Sequence, residues 1–131
     1  LNPNIMVLSL FPGIQANIFE HALDAPELKG VVMRSFGSGN APQQSWLIET
    51  LKKASQRGVS IVNISQCVTG FVEMGRYDTG YQLKGTGVIS GQDCTVEAAV
   101  TKLMYLYGRY GDDTKTIREL LSIPLAGEFQ I

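Results

Sequence analysis

Short apolar runs alternate along the chain with segments whose apolar residues recur every three or four positions. These runs predict strands and cover residues 5–10, 30–33, 59–64 and 88–90; Pro12 and Gly13 follow the first run, and Gly91 follows the last. The periodic segments predict helices over about 14–24, 42–57, 93–107 and 113–121, with a shorter helix at 78–84. This order predicts an α/β fold in which a small parallel sheet of about four strands lies between two helical layers.

Capping residues indicate where the predicted helices begin and end. Asn40 and Pro42 are suited to open the second helix, because Asn accepts hydrogen bonds from free amides and Pro loses none in the first turn. Gly58 follows a basic last turn and is expected to end that helix in a left-handed conformation. Asp93 is expected to cap the third helix and Asp113 to start the fourth.

Composition narrows the class of protein. The chain has 131 residues, of which 44% are apolar and 18% charged, so one globular domain over residues 1–131 is expected. Eleven basic residues against twelve acidic ones predict neither a nucleic-acid partner nor an anionic membrane surface. No apolar run approaches the roughly 20 residues that a membrane span needs. Two cysteines set no disulfide framework, and the start at Leu1 is interpreted as a piece of a longer protein.

The stretch from Val31 to Pro42 holds the strongest candidate chemistry. An apolar strand carries one arginine, Arg34, near its end and continues into a glycine-rich turn. Ligands of parallel α/β sheets bind where strands end and helices begin. A guanidinium in that position needs a carboxylate, which either a ligand or an internal acid such as Asp24 or Glu73 would supply.

Three other motifs in the sequence are not expected to form functional sites. Gly37 and Gly39 form G-x-G, but position 42 is proline and residues 59–64 hold no acid for a ribose, so a dinucleotide site is not expected. The tripeptide 78–80, Asp-Thr-Gly, lies among βα units rather than in the all-β setting of aspartic proteases. His21 is the only histidine, and no residue near it in sequence would complete a zinc site or a Ser-His-Asp triad, so it is expected to be a surface or boundary residue.

Five segments together resemble bacterial cytoplasmic (type I) L-asparaginases. They are 34–42 (Arg-Ser-Phe-Gly-Ser-Gly-Asn-Ala-Pro), 63–67 (Asn-Ile-Ser-Gln-Cys), 75–80 (Gly-Arg-Tyr-Asp-Thr-Gly), 93–98 (Asp-Cys-Thr-Val-Glu-Ala) and 101–106 (Thr-Lys-Leu-Met-Tyr-Leu). The resemblance covers only that family's smaller C-terminal domain, a flavodoxin- or Rossmann-like parallel layer structure. The catalytic N-terminal domain is therefore expected to be absent from this chain.

The family's nucleophile motifs are missing here. The family carries one threonine in a Thr-Gly-Gly-Thr segment and another in a Thr-Asp motif. This chain has Thr-Gly at 69, 79 and 86 but neither of those motifs. A threonine hydroxyl without an activating base is a weak nucleophile. The resemblance thus implies an amidohydrolase, hydrolysing L-asparagine to L-aspartate and ammonia as a full-length protein, with no catalytic residue in the present 131.

The resemblance also implies roles for four residues. Asn40 would reach toward a neighbouring subunit's active site; its residue type and position also fit a plain helix cap, which is the alternative. Arg34, Ser65 and Cys67 match residues around a second, activating asparagine site that some members have. Cys67 after a buried strand is otherwise a small apolar core residue. A cytoplasmic homo-oligomer, a dimer or tetramer without cofactor or metal, is implied.

Two other functions stay open. In the first, the domain mainly senses an amino acid and assembles subunits, without a catalytic role. In the second, it belongs to the related amidotransferase subunit that processes tRNA-bound glutamate, whose C-terminal domain shares the fold. That alternative predicts a basic RNA-facing surface, which a formal net charge of -1 does not favour.

Overall fold

The computed structural model describes residues 1–10, 13–35, 45–65, 86–91 and 94–123, with the backbone alone described at 35 and 65. In chain order, the elements within these ranges are β1 (Ile5–Ser9), α1 (Ala16–Leu23), β2 (Gly30–Ser35), α2 (Ser45–Gln56), β3 (Ser60–Ser65), β4 (Ile89–Ser90), α3 (Val96–Tyr110) and α4 (Thr114–Leu121). The start of a helix at Asn40 and Pro42 and the short helix predicted at 78–84 lie outside the described residues.

The four strands form one parallel sheet in the order β1-β2-β3-β4. Each strand pairs with the next one along the chain, with Val7 opposite Val32 and Val32 opposite Val62. Ile89 of β4 pairs with Val62 at the far edge. Because consecutive parallel strands need crossover connections, the helices are placed on the faces of the sheet. The predicted α/β class with a small parallel sheet is confirmed.

Helices α1 and α2 cover one face of the sheet. Strand residues of alternate positions point to this face, and the helices contribute one apolar stripe each. Phe19 of α1 packs edge-to-face on Trp46 of α2, with ring centroids 5.5 Å apart. The buried residues of this layer are Leu10, Ile14, Phe19, Leu23, Val31, Met33, Leu47, Leu51, Ala54, Val59 and Ile61.

Helices α3 and α4 cover the opposite face. The same strands supply their other alternate residues there, so each central strand is buried on both sides, as its near-continuous run of Val and Ile predicts. The buried residues of this second layer are Val32, Val62, Ile64, Cys94, Ala99, Leu103, Leu106, Tyr107, Ile117 and Leu121. The three-layer arrangement predicted from the sequence is therefore present.

The C-terminal end of α2 has the predicted glycine stop. Gly58 adopts φ +103°, a left-handed conformation that side chains other than glycine's strain to reach. The amide of Val59 donates to the carbonyl of Ala54 at 3.1 Å, and the amide of Gly58 donates to the carbonyl of Ser55 at 3.1 Å. These two bonds form a Schellman motif, which satisfies the last carbonyls of the helix and turns the chain into β3.

The two C-terminal helices begin at side-chain caps. Asp113 caps α4, as predicted, by accepting from the amide of Thr116 at 3.3 Å. The cap of α3 is Thr95, whose hydroxyl accepts from the amide of Ala98 at 3.1 Å, and not Asp93 as predicted. Both residue types are good caps, and the helix starts one position after the threonine.

Candidate functional site at the carboxyl ends of the strands

Polar residues gather where the parallel strands end. Ser9 is opposite Arg34, Ser35 is opposite Ser65, and Asn63 is opposite Ser90. Neighbouring strands lie about 4.8 Å apart, so these pairs bring residues distant in sequence together over three successive register positions. The edge predicted from the sequence to carry chemistry is therefore polar along all four strands.

Arg34 lies near the carboxyl end of β2, with its stem inside the protein. The residue is half-buried and its Nε atom is buried. It shares a sheet face with Val32 and its paired residue Ile64, which both pack beneath α3 and α4. The carbonyl of Arg34 accepts from the amide of Leu10 at 2.8 Å, so the chain leaving β1 is fastened to β2 at this point. The arginine is thus held by its backbone and its stem.

Asn63 is a fully buried polar residue of β3, one register step before the pair Arg34–Ile64. The sequence analysis predicted no separate role for it. Its side chain has 0% exposure, and it lies on the other face from Arg34, next to Met33. The carbonyl of Asn63 accepts from the amide of Gly91 at 2.9 Å, which ties β4 to β3. The signal available in the sequence was the amide itself, since a polar residue inside a run of Val and Ile must find hydrogen-bond partners.

Asp24 is not the internal acid for Arg34. Its Oδ1 accepts from Nη1 of Arg57 at 3.0 Å, and both residues follow the C-terminal ends of their helices. Those helix ends lie beside the amino ends of the strands, away from Arg34, because the helices of crossover connections run antiparallel to the strands. The other acid considered for Arg34, Glu73, lies outside the described residues.

The remaining predicted site residues are placed only in part. Ser65 ends β3, one register step beyond the pair Arg34–Ile64, so Arg34 and Ser65 lie on adjacent strands at one edge. Asn40 and Cys67 lie outside the described residues. His21 is exposed on α1, as predicted. Within the described ranges, no three His, Cys, Asp or Glu side chains are grouped so as to hold a metal ion.

An arginine near the end of a parallel strand has the chemistry to bind a carboxylate. A guanidinium presents paired donors to two carboxylate oxygens, and backbone amides and hydroxyls at strand ends complete such sites.

None of the helices in the described part of the chain has the length and apolarity to cross a membrane.

Comparison with protein families assigns most of the chain. The model of the Glutaminase/Asparaginase C-terminal domain matches residues 4–121. Among curated relatives, "L-asparaginase 1" of Escherichia coli strain K12 is 46% identical over 124 residues, which are 95% of this chain and 36% of that protein. A glutamyl-tRNA(Gln) amidotransferase subunit of Methanopyrus kandleri is 34% identical over 126 residues, 96% of this chain and 27% of that protein.

Solved structures give the same picture. The crystal structure of L-asparaginase I from Vibrio cholerae superposes with a TM-score of 0.89 at 40% identity, covering 98% of this chain and 38% of that one. A probable cytoplasmic L-asparaginase from Campylobacter jejuni gives a TM-score of 0.64 at 25% identity, covering 92% of this chain and 34% of that one. The chain therefore spans little more than a third of the length of these asparaginases.

Proposed function

Because the chain belongs to the glutaminase/asparaginase C-terminal domain family, we propose that it serves as the C-terminal domain of a two-domain L-asparaginase. The whole protein would hydrolyse L-asparagine to L-aspartate and ammonia. The observation that carries this proposal is the match of residues 4–121 to the family model. The threonine motifs of the family's catalytic domain do not occur in these 131 residues. Catalysis would therefore reside in a preceding domain.

The role proposed for this domain is to bind asparagine at the carboxyl ends of its strands. Arg34 would hold the α-carboxylate of an effector asparagine through two of its guanidinium N–H groups, and Ser65 on the adjacent strand and Cys67, two positions later in sequence, would complete the site. The position of Arg34 and Ser65 at the carboxyl ends of two adjacent strands, one register step apart, supports this assignment. Binding there would change the activity of the catalytic domain by a coupling of about 1–3 kcal/mol.

Asn40 is proposed to contact the substrate bound by a neighbouring subunit. An amide side chain donates to a carboxylate and accepts from an ammonium group, as recognition of an amino acid requires. This role needs a homo-oligomer, a dimer or tetramer, in which one subunit's C-terminal domain meets another's catalytic domain. A cytoplasmic location is proposed on the description of the Campylobacter jejuni relative.

The amidotransferase subunit remains the second candidate because its Methanopyrus kandleri member is 34% identical over 96% of this chain. The 46% identity to an L-asparaginase favours the first. The test is ammonia release by the longer protein that contains these residues, measured with free L-asparagine and, separately, with tRNA-bound glutamate plus an ammonia donor. Hydrolysis of free asparagine without tRNA supports the asparaginase. Turnover that requires the charged tRNA and a second protein overturns it.

A further inference from the structure

A cleft opens between α1 and α2 near their C-terminal ends, beside the amino ends of the strands and away from Arg34. Its volume is about 480 Å³, within the range of small-molecule sites. The floor is formed by buried residues of the two helices, Leu23, Thr50 and Ala54. The Thr50 hydroxyl donates to the carbonyl of Trp46 at 2.7 Å, so its oxygen still offers lone pairs to a ligand. The buried part of the lining therefore offers two apolar side chains and one hydroxyl oxygen.

Opposite charges line the two walls of this cleft. One wall has Glu20 and His21 of α1 and Asp24, which follows α1; the other has Lys53 of α2 and Arg57, which follows α2. Asp24 and Arg57 neutralise each other through their 3.0 Å contact. Nη2 of Arg57 also donates to the carbonyls of Leu23 and Ala25, so the guanidinium is occupied by the protein. Each member of this pair is therefore already engaged within the protein.

Besides the paired Asp24 and Arg57, the cleft lining has two charged residues, Lys53 and Glu20. They lie on opposite walls, and neither forms an ion pair within the ranges that the structure describes. A ligand with a single charge would meet one attractive wall and one repulsive wall. A ligand with a carboxylate and an ammonium group would satisfy both. The His21 imidazole beside Glu20 adds a further hydrogen-bonding group.

We propose that this cleft binds a small zwitterion of the amino-acid class. Its carboxylate would lie against the Lys53 ammonium and its ammonium group against the Glu20 carboxylate, with its carbon chain on Leu23 and Ala54. Both charged side chains are solvent-exposed, so binding is expected in the millimolar range. The site is separate from the Arg34 edge, and it does not depend on the proposed asparaginase function.

The probes are glycine, acetate and methylammonium at equal ionic strength, titrated into the ¹⁵N-labelled chain and followed by backbone amide shifts. Glycine carries both charges, and each of the others carries one. We expect saturable shifts with glycine around residues 20–24 and 50–57, and no saturation with the two half-molecules. Shifts of equal size with acetate, no saturable shift with glycine, or shifts confined to the ends of β2 and β3 would overturn the proposal.

Charge-removing variants locate the contacts. Lys53→Gln and Glu20→Gln should each weaken glycine binding by at least about threefold, since each removes one charge-assisted hydrogen bond. Lys52→Gln is the matched control: it removes the neighbouring exposed charge on α2, which does not line the cleft. The amide spectra show directly that these surface variants are folded. Equal weakening by Lys52→Gln and Lys53→Gln would mean that net charge alone attracts the probe, and would overturn the proposal.

Discussion

Arg57 Nη1 and Asp24 Oδ1 are 3.0 Å apart and join the ends of two helices through residues that are 33 positions apart in sequence. The same guanidinium donates to the carbonyl of Leu23 at 2.5 Å, so it also satisfies a free carbonyl at the C-terminal end of α1. Asp24 is therefore paired with Arg57 beside the amino ends of the strands, away from Arg34. An acid that the sequence offered as a partner for Arg34 instead joins α1 to α2.

The first prediction separates the two functions of Arg57. Asp24→Asn should lower the free energy of unfolding by less than about 1 kcal/mol, because its carboxylate is 84% exposed and the pair is screened by water. Arg57→Met should cost more, since it also leaves the carbonyls of Leu23 and Ala25 without this donor. Urea unfolding of both variants measures this. A larger loss for Asp24→Asn than for Arg57→Met would contradict it.

The second prediction concerns a polar network beneath β3. Arg118 of α4 donates to the carbonyls of Ser55 and Val59 at 2.8 and 3.0 Å. Its Nε reaches the Ser60 hydroxyl at 3.3 Å, and that hydroxyl shares a 2.7 Å hydrogen bond with Tyr107. Arg118→Met should lower the free energy of unfolding by about 1–3 kcal/mol, the cost of buried acceptors that lose their donor.

The control for Arg118 is Arg109→Met. Arg109 is exposed on α3, where its guanidinium lies 5.7 Å from the ring of Tyr110. An exposed cation–π contact contributes about 0.5–1 kcal/mol, so this variant should stay close to the parent in urea. Equal losses for the two arginine variants would show that the network beneath β3 adds no stability.

Periodicity and caps predicted the layers well because those signals are local. The Val and Ile run of β3 indicated burial on both faces, and Gly58 indicated the end of α2. Asp93 was the wrong cap because two good capping residues occur within three positions, and only the observed helix start decides between them. The acid that pairs with Arg57 is decided by how α1 packs on α2. A pattern within one segment of the sequence gives no information on the distance between two helices.

The third prediction is that the 131-residue chain folds but releases no ammonia from asparagine. It buries an apolar layer on each face of its sheet, yet it has neither Thr-Gly-Gly-Thr nor Thr-Asp. Coupled detection of ammonia with the purified chain tests this, with the longer protein as the positive control. Release well above a buffer blank would contradict the assignment of catalysis to a preceding domain.

The fourth prediction distinguishes substrate contact from helix capping at Asn40. In the full-length protein, Asn40→Ala should lower turnover of asparagine more than it lowers stability. Loss of a cap alone costs about 1 kcal/mol, which Asn40→Ser should largely restore because serine is also a good cap. Turnover and thermal unfolding of both variants are compared. Unchanged turnover with a reduced melting temperature would assign Asn40 to capping.

Arg34 carries the proposed asparagine contact at the carboxyl end of β2, and one set of velocity curves tests it most directly. Initial velocity is measured against asparagine concentration for the full-length protein, for Arg34→Lys and for the exposed control Arg109→Lys. Lysine keeps the charge but lacks the planar pair of donors. We predict a sigmoidal curve for the parent and the control, and a curve shifted to higher asparagine for Arg34→Lys. Hyperbolic curves with matched half-saturation for all three proteins would contradict an effector site at Arg34.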